Sequence, residues 1–191
     1  MINKNFLESL KDNYKKNENE RRQIISASNA LLFESKKIIF KLQREEFKEA
    51  QEKFLEVEKS FKSIENKFTA KRLKKEGAYK AAAEEYLEAK TFYQTIKEAE
   101  ITEVASLDFD YESYFGGICD LIGELVRYAT NQAAKGKFKE VSKIKTKADD
   151  IMSQLIDIDM TGYLRTKYDQ ARGHLRKLEQ MAYEIKIKTG K

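Results

Sequence analysis

The sequence predicts an all-α protein, an antiparallel bundle of long helices, and three observations carry that prediction. Charged residues supply 36% of the 191 positions and aromatics 11%, while proline is absent. That balance suits long helices joined by short polar turns better than sandwiches, barrels or disordered linkers. Apolar residues also recur at helical spacing along most of the chain. The length allows a continuous core without a disulfide or structural metal, and no linker or internal repeat divides it, so residues 1–191 read as one helical domain.

Six helices follow from periodicity. Ile24, Leu31 and Ile38 repeat every seven residues beside Ile25, Leu32 and Ile39, one wide stripe on a first helix ending near Arg44. Residues 47–68 form a second, in which Phe47, Ala50, Phe54, Val57, Phe61, Ile64 and Phe68 alternate steps of three and four, the seam of a helix packed lengthwise on another. TAKRLKKEG, residues 69–77, is too polar and basic to contribute core, and Gly77 reads as a break. A third helix runs from Tyr79 through Leu87 to Ile96. ITEVASLDFDYES reads as a connection, and a fourth helix follows from Phe115 to Ala134 with Gly136 as its stop. Phe138, Val141, Ile144, Ala148, Ile151 and Leu155 mark the fifth. After the turn IDIDMTG, Leu164, Tyr168, Ala171, Leu175, Leu178, Ala182 and Ile185 mark the sixth, before a KIKTGK tail.

Composition narrows the function. A single cysteine, Cys119, excludes internal disulfides and multi-cysteine metal sites and fits a reducing, cytoplasmic setting. No apolar run approaches the ~18 residues of a membrane span, and the charged opening MINKNFLESLKDNY lacks the apolar region of a signal peptide. A net charge of +5 permits a polyanionic partner without demanding one.

Four carboxylates carry the candidate chemistry. Residues three and four apart share a helix face, so Glu85 and Glu88 project together from the third helix and Asp120 and Glu124 from the fourth. Two neighbouring helices can then aim four oxygens at one point, as Mg²⁺ or Mn²⁺ requires, and phosphodiester hydrolysis is the natural use. Chance competes with this reading, because 32 of the residues are acidic. The fourth helix is more informative: Asp120, Glu124, Arg127 and Asn131 form a polar stripe on an otherwise apolar helix. Spacing alone leaves two readings open, a metal site and a salt-bridge ladder between subunits in which Arg127 satisfies Glu124. Gly116, Gly117 and Gly123 each cost that helix about 1 kcal/mol relative to alanine, which another backbone in close approach would offset. Cys119 reads as a small packed residue, and His174, the sole histidine, as an exposed helix position; neither is taken as a catalyst. Lys71, Arg72, Lys74, Lys75 and Lys80 cluster before the third helix, with Tyr79 available to stack on a base; Arg21 and Arg22 form a weaker basic patch.

EYLEA at 85–89, GGICDLIGELVRY at 116–128, the GKF turn and YLRTKYDQARGHLRKLEQMAYEI at 163–185 together resemble the translin/TRAX superfamily over most of the chain. LQREEF fits the end of its first helix, although Gln43 stands where that family has a histidine, and residues 45–80 carry little identity. The resemblance implies seven-helix-type subunits, hence six to seven long helices, closing into a hollow, octamer-like homo-oligomer with the acids facing inward. It also implies that Glu85, Glu88, Asp120 and Glu124, which match the TRAX-like acidic set, bind Mg²⁺ or Mn²⁺ and act on single-stranded RNA, or RNA with single-stranded parts, with single-stranded DNA as a further partner. The family's RNA contacts before EYLEA are not clearly matched in KRLKKEGAYK; Lys75, Tyr79 and Lys80 are assigned by proximity and Arg127 by its place on the polar stripe.

The expected function is therefore metal-dependent endoribonuclease. The alternatives are a non-catalytic translin-like binder of single-stranded RNA or DNA, and a helical adaptor whose Phe47–Phe68 seam takes partner helices.

Overall fold

The computed structural model describes residues 1–189 and consists, over those residues, of seven helices and no strand. They are α1 (Lys4–Gln43), α2 (Phe47–Lys67), α3 (Ala70–Leu73), α4 (Gly77–Ile96), α5 (Tyr111–Ala134), α6 (Phe138–Leu155) and α7 (Gly162–Thr189). The periodic segments are all helical, and short turns at 44–46 and 135–137 fold consecutive helices back antiparallel. Among the described residues no helix is long and apolar enough to cross a membrane. Of the KIKTGK tail, residues 186–189 continue α7 and the last two lie outside the described residues.

The structure sets the start of α1, which periodicity leaves open, and corrects three expectations. α1 begins at Lys4, well before the apolar stripe, because Asn3 caps it through a hydrogen bond from the Phe6 amide and neither glycine nor proline interrupts the chain before Gln43. The first buried residue is Ile24, so the opening turns stand clear of the bundle and leave Phe6, Leu10 and Tyr14 exposed. The basic stretch before α4 does contribute core: Thr69 caps the short α3, whose Leu73 is fully buried. Gly77 is the first residue of α4 rather than a break. α5 starts at Tyr111, four residues early, because Asp110 accepts a hydrogen bond from the Ser113 amide at 2.9 Å and nucleates the extra turn.

α5 is the central element, packed against α4, α7, α6 and α1. Leu121, Ile122, Leu125 and Ala129 bury its apolar side completely. The α2 seam meets α4 through edge-to-face aromatic contacts, Phe54 and Phe61 against Tyr86, with Phe109 completing the group. Each such pair adds about 0.5–1.5 kcal/mol beyond the area it buries.

Glu45, in the left-handed region at φ 64°, ties the α1–α2 turn to the end of α5. Its carboxylate accepts from Gln132 Nε2 at 2.6 Å and pairs with Lys135 and Lys137. The Gln132 hydrogen bond, with the two lysines, holds this carboxyl below its ordinary range. That clamp fixes the register of α1 against α5 on the side where Gln43 meets Glu124.

Candidate functional site: an acidic centre between α4 and α5

The two glycines at the start of the α5 motif explain how the helices come together. A Cβ on Gly117 would fall 2.9 Å from the Glu88 backbone nitrogen and 2.9 Å from Leu87 Cβ. One on Gly116 would fall 2.2 Å from a Glu84 carboxylate oxygen. The backbone of α4 therefore lies directly on α5, the close approach expected from the glycines. It places the EYLEA face of α4 beside Asp120 and Glu124.

Glu85, Glu88, Asp120 and Glu124 form one electrostatic group. Burial, and after it repulsion from Glu85, Asp120 and Glu124, pushes the Glu88 carboxyl up to about 9. Glu85 is raised by burial above all, with Lys36 working against it and Asp120 and Glu124 adding to it. Asp120 is also raised, by burial first, against the pull of Lys167. Crowded carboxylates in a half-dry site cannot all ionise without a cation among them.

Cations and donors already partner three of the four. Lys167 of α7 donates to Asp120 Oδ2 at 2.5 Å and also pairs with Glu84, which accepts from the Tyr163 hydroxyl at 2.8 Å. Burial works to lower the Lys167 ammonium, and its bonds to Asp120 and Glu84 outweigh that and raise it. Gln43 donates to Glu124 Oε2 at 2.7 Å and to the Glu124 backbone carbonyl at 2.9 Å, and accepts from Asn131 at 3.1 Å. Arg127 approaches Glu124 at 3.5 Å, and Lys36 approaches Glu85 at 3.9 Å. Among the described residues no side-chain hydrogen bond reaches the Glu88 carboxyl.

The donor set suits a hard divalent cation in kind: carboxylate oxygens on rigid helices, three of them held above their ordinary range by burial, with mutual repulsion adding to it. Their present rotamers do not gather it. Among the described residues no three Asp, Glu, His or Cys side chains converge as metal ligands. A cation entering between α4 and α5 therefore requires Asp120 to turn from Lys167 or Glu124 from Gln43, torsional changes that leave both backbones in place.

The other assigned residues divide. Arg127 is exposed at the rim of the acids. Lys75 is exposed, whereas Lys80 donates to Glu112 at 2.6 Å. Tyr79 cannot stack on a base as placed: it is 3% exposed, its ring packs edge-on to Phe61, and its hydroxyl donates to Glu65. Steps of three and four from Tyr79 to the buried Ala82, Ala83 and Tyr86 put it on the core face of α4, which proximity to the basic run concealed. Arg72 and Arg21 are both engaged by Glu76. His174 is half-buried rather than exposed, its Nε2 facing Gly123, and burial lowers its pKa. Cys119 is buried, its thiol pushed up to about 12 by burial and by Asp120, and so is no nucleophile at neutral pH.

Sequence reasoning missed Glu84, Lys167 and Tyr163. Glu84 directly precedes EYLEA and had a weak signal as a further acid on α4. Lys167 and Tyr163 had none, because they reach the site only through the packing of α7 on α5.

An all-α subunit with an acidic centre built between two glycine-tightened helices is the class of protein these features define. The Translin family model matches residues 19–189, and the chain belongs to that family. Translin from Gallus gallus is 27% identical over 110 residues, which cover 54% of this chain and 48% of the relative; the match thus spans about half of that protein. Two solved structures resemble the whole fold. Apo-NeC3PO is 27% identical with a TM-score of 0.81, over 96% of this chain and 97% of that one. An AfC3PO–duplex RNA complex is 22% identical with a TM-score of 0.82, over 95% and 96%.

Proposed function

We propose that this chain is a Mg²⁺-dependent endoribonuclease acting on single-stranded RNA, or single-stranded parts of RNA, within a closed, octamer-like homo-oligomer. The observation that carries the reading is the close seating of α4 on α5 at Gly117, which sets Glu85 and Glu88 beside Asp120 and Glu124 as one crowded carboxylate group, the Glu88 carboxyl raised by burial and by its three neighbours. Glu85, Glu88, Asp120 and Glu124 would hold Mg²⁺ or Mn²⁺. Bound there, the ion supplies activation of water and neutralisation of charge on the phosphate. Gln43 orients Glu124, Lys167 orients Asp120, and Arg127 at the rim, with Lys75 and Lys80 near the start of α4, seats the strand's phosphates. Support for an RNA partner comes from the fold shared with a protein whose structure is a duplex RNA complex.

The test is cleavage of a labelled single-stranded RNA in Mg²⁺, in EDTA, and by Asp120→Asn and Glu124→Gln in Mg²⁺. Cleavage should require both metal and wild-type acids, falling at least about 100-fold in the variants while RNA binding stays within about threefold. Variants that cut like wild type would sink the assignment.

A specific observation favours a second reading. Lys167, Gln43 and Arg127 already satisfy Asp120 and Glu124, as in a non-catalytic RNA-binding subunit whose acids are structural. Salt-dependent binding with RNA left intact in Mg²⁺ would establish that reading instead.

A further inference from the structure

Among the large aromatics that α1 leaves in solvent are Phe33, 58% exposed, and Phe40, 49% exposed. Phe40 is the better placed. Lys36, Phe40 and Gln43 succeed one another at steps of four and three and so share a face of α1. Lys36 reaches Glu85 and Gln43 reaches Glu124, so Phe40 stands between two residues that touch the carboxylates.

Two guanidinium groups, one from the C-cap of α1 and one from α5, flank its ring. The Arg44 guanidinium carbon lies 4.8 Å from the ring centroid and that of Arg127 lies 5.4 Å away. Arg127 is also the residue that meets Glu124 at 3.5 Å, so ring, guanidinium and carboxylate form one continuous rim. Exposing half a phenylalanine sacrifices burial that the residue would otherwise gain. A second protein helix laid on this face would bury the ring but strip water from both arginines. An unpaired nucleotide answers both requirements: its base stacks on the ring while its phosphates meet the guanidinium groups.

We infer that Phe40, flanked by Arg44 and Arg127, is the stacking platform for an unpaired RNA base at the mouth of the acidic centre. This rests on the RNA-binding half of the proposed function and not on cleavage. It replaces Tyr79, which the core has absorbed, with an aromatic that is open to solvent and next to the acids.

The experiment is fluorescence anisotropy of a labelled ten-nucleotide oligouridylate in EDTA, where no cleavage intervenes. Phe40→Ala should weaken binding about tenfold or more, Phe40→Tyr should stay within about threefold, and Tyr79→Phe should have no effect. A 2-aminopurine placed in the strand should lose fluorescence on binding wild type, and much less on binding Phe40→Ala, because stacking quenches it. Binding by Phe40→Ala equal to wild type would overturn the assignment, as would a change in that variant's sedimentation coefficient, which would show the face to be covered by another copy. Failure of the nuclease reading would appear separately, as RNA left intact in Mg²⁺ with the anisotropy results unchanged. Absence of RNA binding by wild type would defeat both.

Discussion

The Lys167 ammonium donates to Asp120 at 2.5 Å and simultaneously pairs with Glu84, so one side chain of α7 neutralises acids from both α4 and α5. With 16% of the Lys167 side chain and 28% of Asp120 exposed, the contact is only partly screened by water. Removing the lysine should leave two poorly solvated carboxylates without their cation. Lys167→Met is expected to cost about 1–3 kcal/mol, below the range for a fully buried pair, and to lower the melting temperature by roughly 3–9 °C. Asp120→Asn in the same background should recover part of that loss. Strictly additive single and double effects in a thermal-denaturation cycle would show the pair to be energetically idle.

Glu88 makes stability depend on pH in a stated direction. Folded, it titrates near 9, well above its ordinary value of 4.5. Between those values the folded chain keeps a proton that the unfolded chain has lost, so stability is fully present below the lower value and drains away as pH rises toward the upper one. Glu88→Gln preserves the shape of the neutral acid. In EDTA it should raise the melting temperature at pH 8 by at least ~3 °C, equivalent to about 1 kcal/mol, and change little at pH 5. Equal shifts at the two pH values would contradict the assignment of the proton to Glu88.

Gly117 bears the contact between α4 and α5. A methyl group there meets backbone, the Glu88 nitrogen at 2.9 Å and the Glu84 carbonyl oxygen at 3.0 Å, and neither can rotate aside. Gly117→Ala should therefore cost about 1–3 kcal/mol despite alanine's better helix propensity. Gly173, with nothing within 4 Å of its Cβ position, supplies the control: Gly173→Ala should be neutral or stabilising. Circular-dichroism melts of the two variants that failed to separate would remove the close-approach argument.

Legibility in the sequence tracked the range of the cause. The Phe47–Phe68 seam and the Val141–Leu155 stripe were readable because helical burial repeats every three or four residues, and most of these positions are buried. Gly116 and Gly117 announced the α4 contact because glycine in a helix needs a reason. The start of α1 was not readable from periodicity, since its first turns bury nothing and are held by local propensity and the Asn3 cap. Tyr79 was misplaced because adjacency in sequence to lysines says little about which face of α4 it occupies. Lys167, 47 residues from Asp120 in sequence, gave no local sign at all. His174 looks exposed among charged neighbours, yet the packing of α7 on α5 sets its ring against Gly123, a long-range contact that gives no local sign.

The overhang of α1 has a kinetic meaning. From Lys4 to Asn17 the helix runs for ~20 Å at 1.5 Å per residue with little of the chain packed on it. A helix of that length without tertiary support is marginal in water. Its amide hydrogens should exchange with deuterium orders of magnitude faster than those of α4 and α5 in an isolated subunit, and slow sharply once another surface covers Phe6, Leu10 and Tyr14. The opening turns of α1 thus act as a clock, whose rate reports whether the subunit stands alone.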